Sequence, residues 1–369
     1  MRQIAIFRSE LLRVSETFIL AQANSLQRYT PHFVGLRRVG RSQPLPDGAV
    51  ILGSAGRYSA ALKAKIYAGF PVAPFFHRRV ARLGASIMHA HFAPDGALAV
   101  SLAEKLGIPL VVTLHGYDVT IRTDFHTRYR KLWRKADRFI CVSEFIRKKA
   151  IEAGFPPEKL VVHYTGVDCS QFTALETDKR DPALIVFVGR LVEKKGCEYL
   201  LRAMGMMATH SELSTPARLV IIGDGPLRTD LEALSRVLNL DVQFLGAQPS
   251  EVVRKWIGKA RVLCNPSVIA ANGDSEGFGM VFAEAQAMGT PVVSSLHGGI
   301  PEAVCDGKTG LLAEERDVTA LATHLHRFLT DDVLWQSCSV KGTAWVRQQF
   351  DLIRQTSLLE DIYTTVASA

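Results

Sequence analysis

The sequence predicts an α/β protein of two successive doubly wound, Rossmann-like domains facing across a cleft. Three observations carry that expectation. Short runs rich in Val, Ile and Leu alternate with segments of helical period along the chain. The alternation pauses at a polar, charge-dense stretch, Glu176-Thr177-Asp178-Lys179-Arg180-Asp181, and then restarts. A chain of 369 residues is also long enough for two domains of roughly 170–180 residues. The expected organisation is a first domain over 1–170, a linker over 171–181 and a second domain over 182–345, with a helix over 346–369 packing back on the first.

In the first half, Gln3 to Phe7 reads as a buried strand, followed by a loop from Arg8 into a helix with Ser15 as N-cap and Glu16 in its first turn. Strands are expected over His32 to Leu36, Ala49 to Leu52, Ser86 to His91, Leu110 to Leu114, Arg138 to Val142 and Leu160 to His163. Helices are expected over Tyr58 to Ala68, Asp95 to Leu106 and onward from Ser143. Gly69 to Arg79 breaks the first of these, mixing aromatics with basic groups as a segment touching a lipid surface does, and equally as a core-packed loop with solvated arginines does. In the second half, strands are expected over Leu184 to Val188, Leu219 to Ile222, Val242 to Leu245, Arg261 to Cys264 and Val292 to Ser294. Helices over Cys197 to Ala208 and Leu227 to Leu238 separate them, and the last 50 residues or so are helical in pattern.

The composition, 47% hydrophobic and 22% charged, supplies ample core for a globular chain. No apolar run approaches the roughly 18–20 residues of a membrane span. The apolar start at Ile4 to Phe7 is too short for a secretory signal. Six scattered cysteines without a Cys-x-x-Cys pair point to a reducing cytoplasm and away from zinc or a disulfide framework. The charge is uneven. Residues 1–170 hold 25 Lys and Arg against 12 Asp and Glu, whereas 171–369 hold 19 against 24. A basic first half suggests an anionic partner, for which nucleic acid, an anionic membrane surface and an acidic substrate all qualify.

The chemistry is expected at the carboxyl ends of the strands, where open α/β sheets bind ligands. The richest stretch is Glu276-Gly277-Phe278-Gly279-Met280-Val281-Phe282-Ala283-Glu284. It reads as a glycine loop entering a helix near Gly279 or Met280. Exposed N–H groups there make an anion site, with a carboxylate on either side to take hydroxyls of the same ligand. Arg190 and Lys195, in the loop after the 184–188 strand, suit a diphosphate. Gly223 and Gly225 allow close backbone approach, and Leu245 with Gly246 offers backbone groups to a base. In the first half, His89, His91 and His115 stand at two strand ends. There is no P-loop and no nucleophile elbow, and the Gly223 segment lacks the third glycine of a dinucleotide fingerprint.

Together, Gly189-Arg190-Leu191 with Lys195-Gly196, Gly223-Asp224-Gly225-Pro226, Phe244-Leu245-Gly246 and the Glu276-x7-Glu284 pair resemble the retaining glycosyltransferases of family 4, which have the GT-B fold. His115-Gly116-Tyr117-Asp118 is similar to that family's first-domain histidine segment. Ser15-Glu16-Thr17-Phe18, His89-Ala90-His91-Phe92 and Gly298-Gly299-Ile300-Pro301-Glu302 resemble its exopolysaccharide, colanic-acid-type branch. The resemblance implies a hexosyltransferase using a UDP- or GDP-linked sugar, with no metal and no cofactor. Arg190 and Lys195 would bind the diphosphate, Glu276 the sugar hydroxyls beside the amides of Gly277, Phe278 and Gly279, and Glu284 the ribose. His115 would meet the acceptor and donor sugar, with Ser15, Glu16, Thr17, His91 and Asp118 on the acceptor side. The acceptor would be a glycan or lipid-linked precursor at the inner face of the cell membrane, and nucleic acid is not expected as a partner. The sequence departs from many family members in two places: no glycine occurs between Arg8 and Ser15, and Thr165 stands where Asn is common. A sugar-nucleotide epimerase, a polyanion-binding module and a nicotinamide oxidoreductase are the rival readings.

Overall fold

The computed structural model describes the chain except residues 12–15, 39–45, 54–56, 122–124, 174–179, 211–214 and 369. The chain forms two compact units, Met1–Gly166 with Leu352–Ala369, and Val167–Asp351. It therefore passes between units at Gly166–Val167 and again at Asp351–Leu352, upstream of the 171–181 stretch and downstream of position 345.

The first unit holds β1 (Arg2–Leu11), β2 (Tyr29–Arg38), β3 (Val50–Ile51), β4 (Ala85–His91), β5 (Leu110–Leu114), β6 (Arg138–Cys141) and β7 (Leu160–Val162). They form one parallel sheet in the order β3-β2-β1-β4-β5-β6-β7. The strand order reverses between β1 and β4, so the crevice at their carboxyl ends is the switch point. Central strands covered on both faces read as continuous apolar runs, and all of β5 is buried. β1 and β2 run well past the apolar stretches that mark them. They continue because Glu10 and Arg37 are direct cross-strand partners and form an ion pair, so charged residues sit in register in the ladder. The Gly69 to Arg79 break runs into a helix, Pro74–Ala81. Pro74 occupies its first turn, where a missing N–H costs nothing, and Phe76 and Val80 bury one face. The dense cations of Phe125–Lys135 likewise cover a helix whose Tyr129 and Leu132 are buried.

Leu352–Ala367 packs on this first unit. Leu359, Tyr363 and Val366 join Ile4, Ile87 and Val111 in one apolar cluster. The Tyr363 hydroxyl lies 2.6 Å from His89 Nδ1, and Glu360 accepts the backbone N–H groups of Gln27 and Arg28 at 2.9 and 2.6 Å.

The second unit holds β8 (Asp181–Val188), β9 (Arg218–Ile222), β10 (Val242–Gly246), β11 (Ala260–Asn265), β12 (Val292–Ser295) and β13 (Gly310–Ala313). The order is β10-β9-β8-β11-β12-β13, again parallel, with its switch point between β8 and β11. The Cys197–His210 and Val318–Thr330 helices cover one core around Phe187, Leu200, Leu325 and Trp335.

Candidate functional site

At the switch point of the second unit, Asn265 joins the ends of β8 and β11. Its Oδ1 accepts the Val188 N–H at 3.2 Å and its Nδ2 donates to the Val188 carbonyl at 2.9 Å. The loop from Gly189 then lies against the loop from Gly223. A Cβ on Gly223, whose φ is +146°, would lie 1.8 Å from the Gly189 carbonyl oxygen; one on Gly225 would lie 2.4 Å from that of Leu191. The space these two glycines leave is thus filled by neighbouring backbone, a different reason for glycine from approach by a ligand. Gly246 belongs to the same packing, its carbonyl accepting the Gly223 N–H at 2.9 Å, and the Leu245 carbonyl accepts from Gln248 at 2.6 Å. Arg190 projects from the first of these loops, exposed and without an ion pair among the described residues.

Three consecutive side chains of the Glu193–Lys195 turn grip three points of the segment that ends in Glu276. Glu193 accepts the Ala271 N–H at 3.1 and 3.0 Å, Lys194 donates to Asp274 at 2.9 Å, and Lys195 donates to Glu276. The main chain of Glu276 is held from the other side. Its N–H donates to His297 Nε2 at 3.3 Å, its carbonyl accepts the Gly299 N–H at 3.0 Å, and His297 Nδ1 lies 2.7 Å from Glu315. His297 accepts at Nε2, which makes Nδ1 the protonated nitrogen that donates to Glu315. Burial works to raise the Glu276 pKa, but Lys195 and Lys194 outweigh it and hold the carboxyl at about 2. Glu276 is thus an ionised, mostly buried acceptor with one oxygen already on an ammonium.

Gly279, with φ +83°, caps the Met280–Ala287 helix, and Gly277 and Phe278 precede it. Phe278 turns inward, 3% exposed and edge-on to Phe350 at 5.0 Å, so its ring belongs to the core. Glu284 lies half-buried inside that helix, where burial lifts its carboxyl to about 7.

In the first unit, the guanidinium of Arg8 is buried at the end of β1. It donates to Asp95, to Glu16 at 2.5 Å and to the His91 carbonyl at 2.9 Å. It also lies 4.5 Å over the Phe92 ring. Ser9 donates to Asp95 from its hydroxyl at 2.5 Å and its N–H at 3.1 Å. A cation and two carboxylates thus pair at this end of β1. Phe92 has φ +73° and ψ 140°, a strained backbone for a side chain with a Cβ. Its ring lies 4.4 Å from that of His115, which also meets Phe18 at 5.1 Å and stacks on His91 at 5.4 Å. His91 Nδ1 and His115 Nε2 are 3.1 Å apart. Burial, then neighbouring cationic groups including Arg8, drives both imidazoles well below the ordinary histidine range, so both are neutral at pH 7.

The structure does not treat the expected acceptor residues alike. Asp118 is buried and receives the N–H groups of Gly116 at 2.8 Å, His115 at 3.1 Å and Ala93 at 3.1 Å, so it shapes the turn that carries His115. Burial raises its pKa, and these backbone donors oppose the rise. Glu16 is engaged by Arg8, Thr17 is exposed at the start of the Thr17–Asn24 helix, and Ser15 lies outside the described residues. His89 is pinned between Tyr363 and Thr113, with its pKa pushed to about 3 by burial and then His163. The sequence reading did not single out Arg8, Lys194, Asp274, Asn265, His297 or Glu315 as parts of a site. Adjacency to Lys195 and to Gly298 was the only local signal for Lys194 and His297.

Over 99% of this chain and all of HepE from Anabaena, solved with UDP and glucose, the two structures agree with a TM-score of 0.78 at 17% identity. Sucrose-phosphate synthase from Thermosynechococcus elongatus agrees at 0.79 and 19% identity over both whole chains. The fold is that of the GT-B glycosyltransferases. The family model for glycosyl transferases group 1 matches 182–331, and that for glycosyltransferase family 4 matches 15–171. The putative colanic acid biosynthesis glycosyltransferase of Salmonella typhimurium is 34% identical over 278 residues, 72% of this chain and 67% of that protein. The amylovoran biosynthesis glycosyltransferase of Erwinia amylovora is 34% identical over 251 residues, 66% and 61% of the two chains. The chain belongs to the family 4 glycosyltransferases. Among the described residues, no helix is long and apolar enough to cross a membrane.

Proposed function

We propose that this enzyme transfers a hexose from a UDP- or GDP-linked donor, with retention, to a lipid-linked precursor in exopolysaccharide assembly. The observation that carries the reading is the Lys195–Glu276 pair at the sheet switch point, with exposed Arg190 on the same loop after β8. Breaking a glycosidic bond to a nucleoside diphosphate puts negative charge on the leaving phosphate. Arg190 and Lys195 meet that charge, so the reaction needs no divalent cation. Lys195 has three N–H donors, enough to serve Glu276 and a phosphate oxygen together. The ionised Glu276 accepts hydroxyls of the transferred sugar, the amides of Gly277 and Gly279 lie beside it, and Glu284 takes the ribose.

The acceptor oxygen bonds to the anomeric carbon on the face the phosphate leaves, and its proton passes to the departing phosphate oxygen. In the first unit, neutral His115, stacked on His91, is the residue offered to the acceptor sugar. Glu16 and Asp118 act through Arg8 and the 115–118 turn. The names of the Salmonella and Erwinia relatives support the exopolysaccharide assignment. The basic first half supports a membrane-borne acceptor at the inner face of the cell membrane.

Nucleoside diphosphate release is measured across a panel of sugar nucleotides, with and without lipid extract and with EDTA. Turnover of one donor, preserved in EDTA and lost in Glu276→Ala and Lys195→Ala, is expected. No turnover of any donor, or undiminished turnover in both variants, overturns the reading.

A further inference from the structure

The two short helices between β3 and β4 carry a surface that sugar transfer does not use. The Arg57–Gly69 helix has two apolar faces. Ala60 and Tyr67 are buried against the unit, whereas Leu62, Ile66 and Phe70 are exposed. At about 100° per residue, those three fall within about 80° of one another, with Lys63 and Lys65 on either flank. The helical turn continues to Phe70, whose N–H donates to the Ile66 carbonyl at 2.8 Å. Val72 and Phe75 follow in the connection and at the start of the second helix, and the five residues are 56–76% exposed.

Side-chain contacts brace this surface. The Tyr67 ring meets Phe76 edge-on at 5.8 Å and its hydroxyl lies 3.1 Å from His77, so the Pro74–Ala81 helix is braced on the first. Lys105 donates to the Pro71 carbonyl at 2.7 Å and ties down the turn. Exposed Arg78 and Arg82 add charge on the second helix. No acidic residue occurs between Asp47 and Asp95.

An exposed apolar ridge of this size is costly in water without a partner. Cations beside it, in a stretch without an acid between Asp47 and Asp95, specify an anionic one. We infer that this helix pair docks the enzyme on an anionic phospholipid bilayer. Leu62, Ile66, Phe70, Val72 and Phe75 enter the boundary between headgroups and acyl chains, and Lys63, Lys65, Arg78 and Arg82 meet the phosphates. The inference deepens the reading of a membrane-borne acceptor by naming the contact surface.

The test is flotation of the full chain with vesicles of phosphatidylcholine alone and of phosphatidylcholine mixed with phosphatidylglycerol. Wild type is expected on the mixed vesicles only, with binding weakened by salt. Phe70→Ser/Phe75→Ser is expected to lose binding at least about tenfold. Lys63→Gln/Lys65→Gln/Arg82→Gln is expected to lose the preference for phosphatidylglycerol. Both variants should release nucleoside diphosphate from the donor, with water taking the sugar in the absence of vesicles, at the wild-type rate. The inference is overturned if wild type floats with neither vesicle or if the variants float like wild type. It is also overturned if the ridge instead supports a dimer that Phe70→Ser/Phe75→Ser dissolves. Vesicle binding without turnover of any donor would leave the docking surface standing and remove the transferase reading.

Discussion

Lys195 donates a hydrogen bond to Glu276 from a turn 81 residues earlier in the chain, and both side chains are largely buried. The pair keeps a desolvated carboxylate ionised, and this couples stability to the same residues that carry the proposed chemistry. The folded pKa of Glu276 is depressed from 4.5 to about 2. Its contribution to stability is therefore present above the unfolded value and is lost as pH falls through the folded one. A loss on the order of 3 kcal/mol is expected between pH 4.5 and 2. Denaturant unfolding across that window should show it in wild type and not in Glu276→Gln. Lys195→Ala should cost about 3 kcal/mol at pH 7 by stranding the carboxylate, and lower kcat by about 10²–10³.

Glu284 has the opposite sign. Its folded pKa is raised to about 7 by burial, so the folded state binds the extra proton between pH 4.5 and 7. Its contribution falls as pH rises through that window. Glu284→Gln should equal wild type near pH 4 and exceed it by up to about 3 kcal/mol at pH 8. The same variant should bind nucleoside diphosphate more weakly in calorimetry, since the hydroxyl-accepting carboxylate is gone. A variant no more stable than wild type at pH 8 would show that Glu284 is ionised without penalty.

The histidines of the first unit are buried neutral. His89 has a folded pKa near 3, and His91 and His115 lie well below the ordinary value of 6.5. The unfolded chain therefore binds more protons at acid pH, and stability is lost progressively as pH falls below about 6.5. Unfolding of wild type between pH 7.5 and 4.5 should show this slope, and His89→Gln should flatten it. Because His115 is already neutral, kcat/KM should show no histidine titration between pH 6 and 8. A rate that drops with an apparent pKa in that interval, and keeps that drop in Glu284→Gln, would place a proton on one of these rings.

Lys194 and Asp274 form a second buried pair beside the first, at 2.9 Å. Removing one partner strands the other, so Lys194→Met should destabilise the chain by about 3–5 kcal/mol. Lys194→Met/Asp274→Leu should recover much of that stability, and kcat should stay low in the double variant if the pair orients the segment leading to Glu276. A double variant with full activity would make the pair structural alone.

Much of the fold is legible locally. Leu110–Leu114 and Ala260–Asn265 are buried strands whose neighbours are all sheet and helix, and their apolar runs say so directly. Arg57–Gly69 follows its helical period. The ends of β1 and β2 are not legible, because Glu10 and Arg37 look like loop residues until they are placed opposite each other. The Pro74–Ala81 helix is hidden by Pro74, which reads as a breaker and acts as a first-turn residue.

By itself, the sequence determined the alternating strands and helices, the two sheets they imply and the order of loops that could hold a nucleotide-sugar. Those properties depend on periodicities of a few residues. Only the tertiary structure decided that Glu193, Lys194 and Lys195 each grip a different point of 271–276, and that His297 and Glu315 hold the Glu276 amide. It also decided that Asp118 is spent on backbone N–H groups and that Gly223 yields its space to a neighbouring loop. The physical reason is the strand order. β8 lies beside β11 and β9, and β11 beside β12, so loops distant in sequence meet at their carboxyl ends. A residue's partners there are chosen by the sheet, and the residues next to it in the chain carry little trace of the choice.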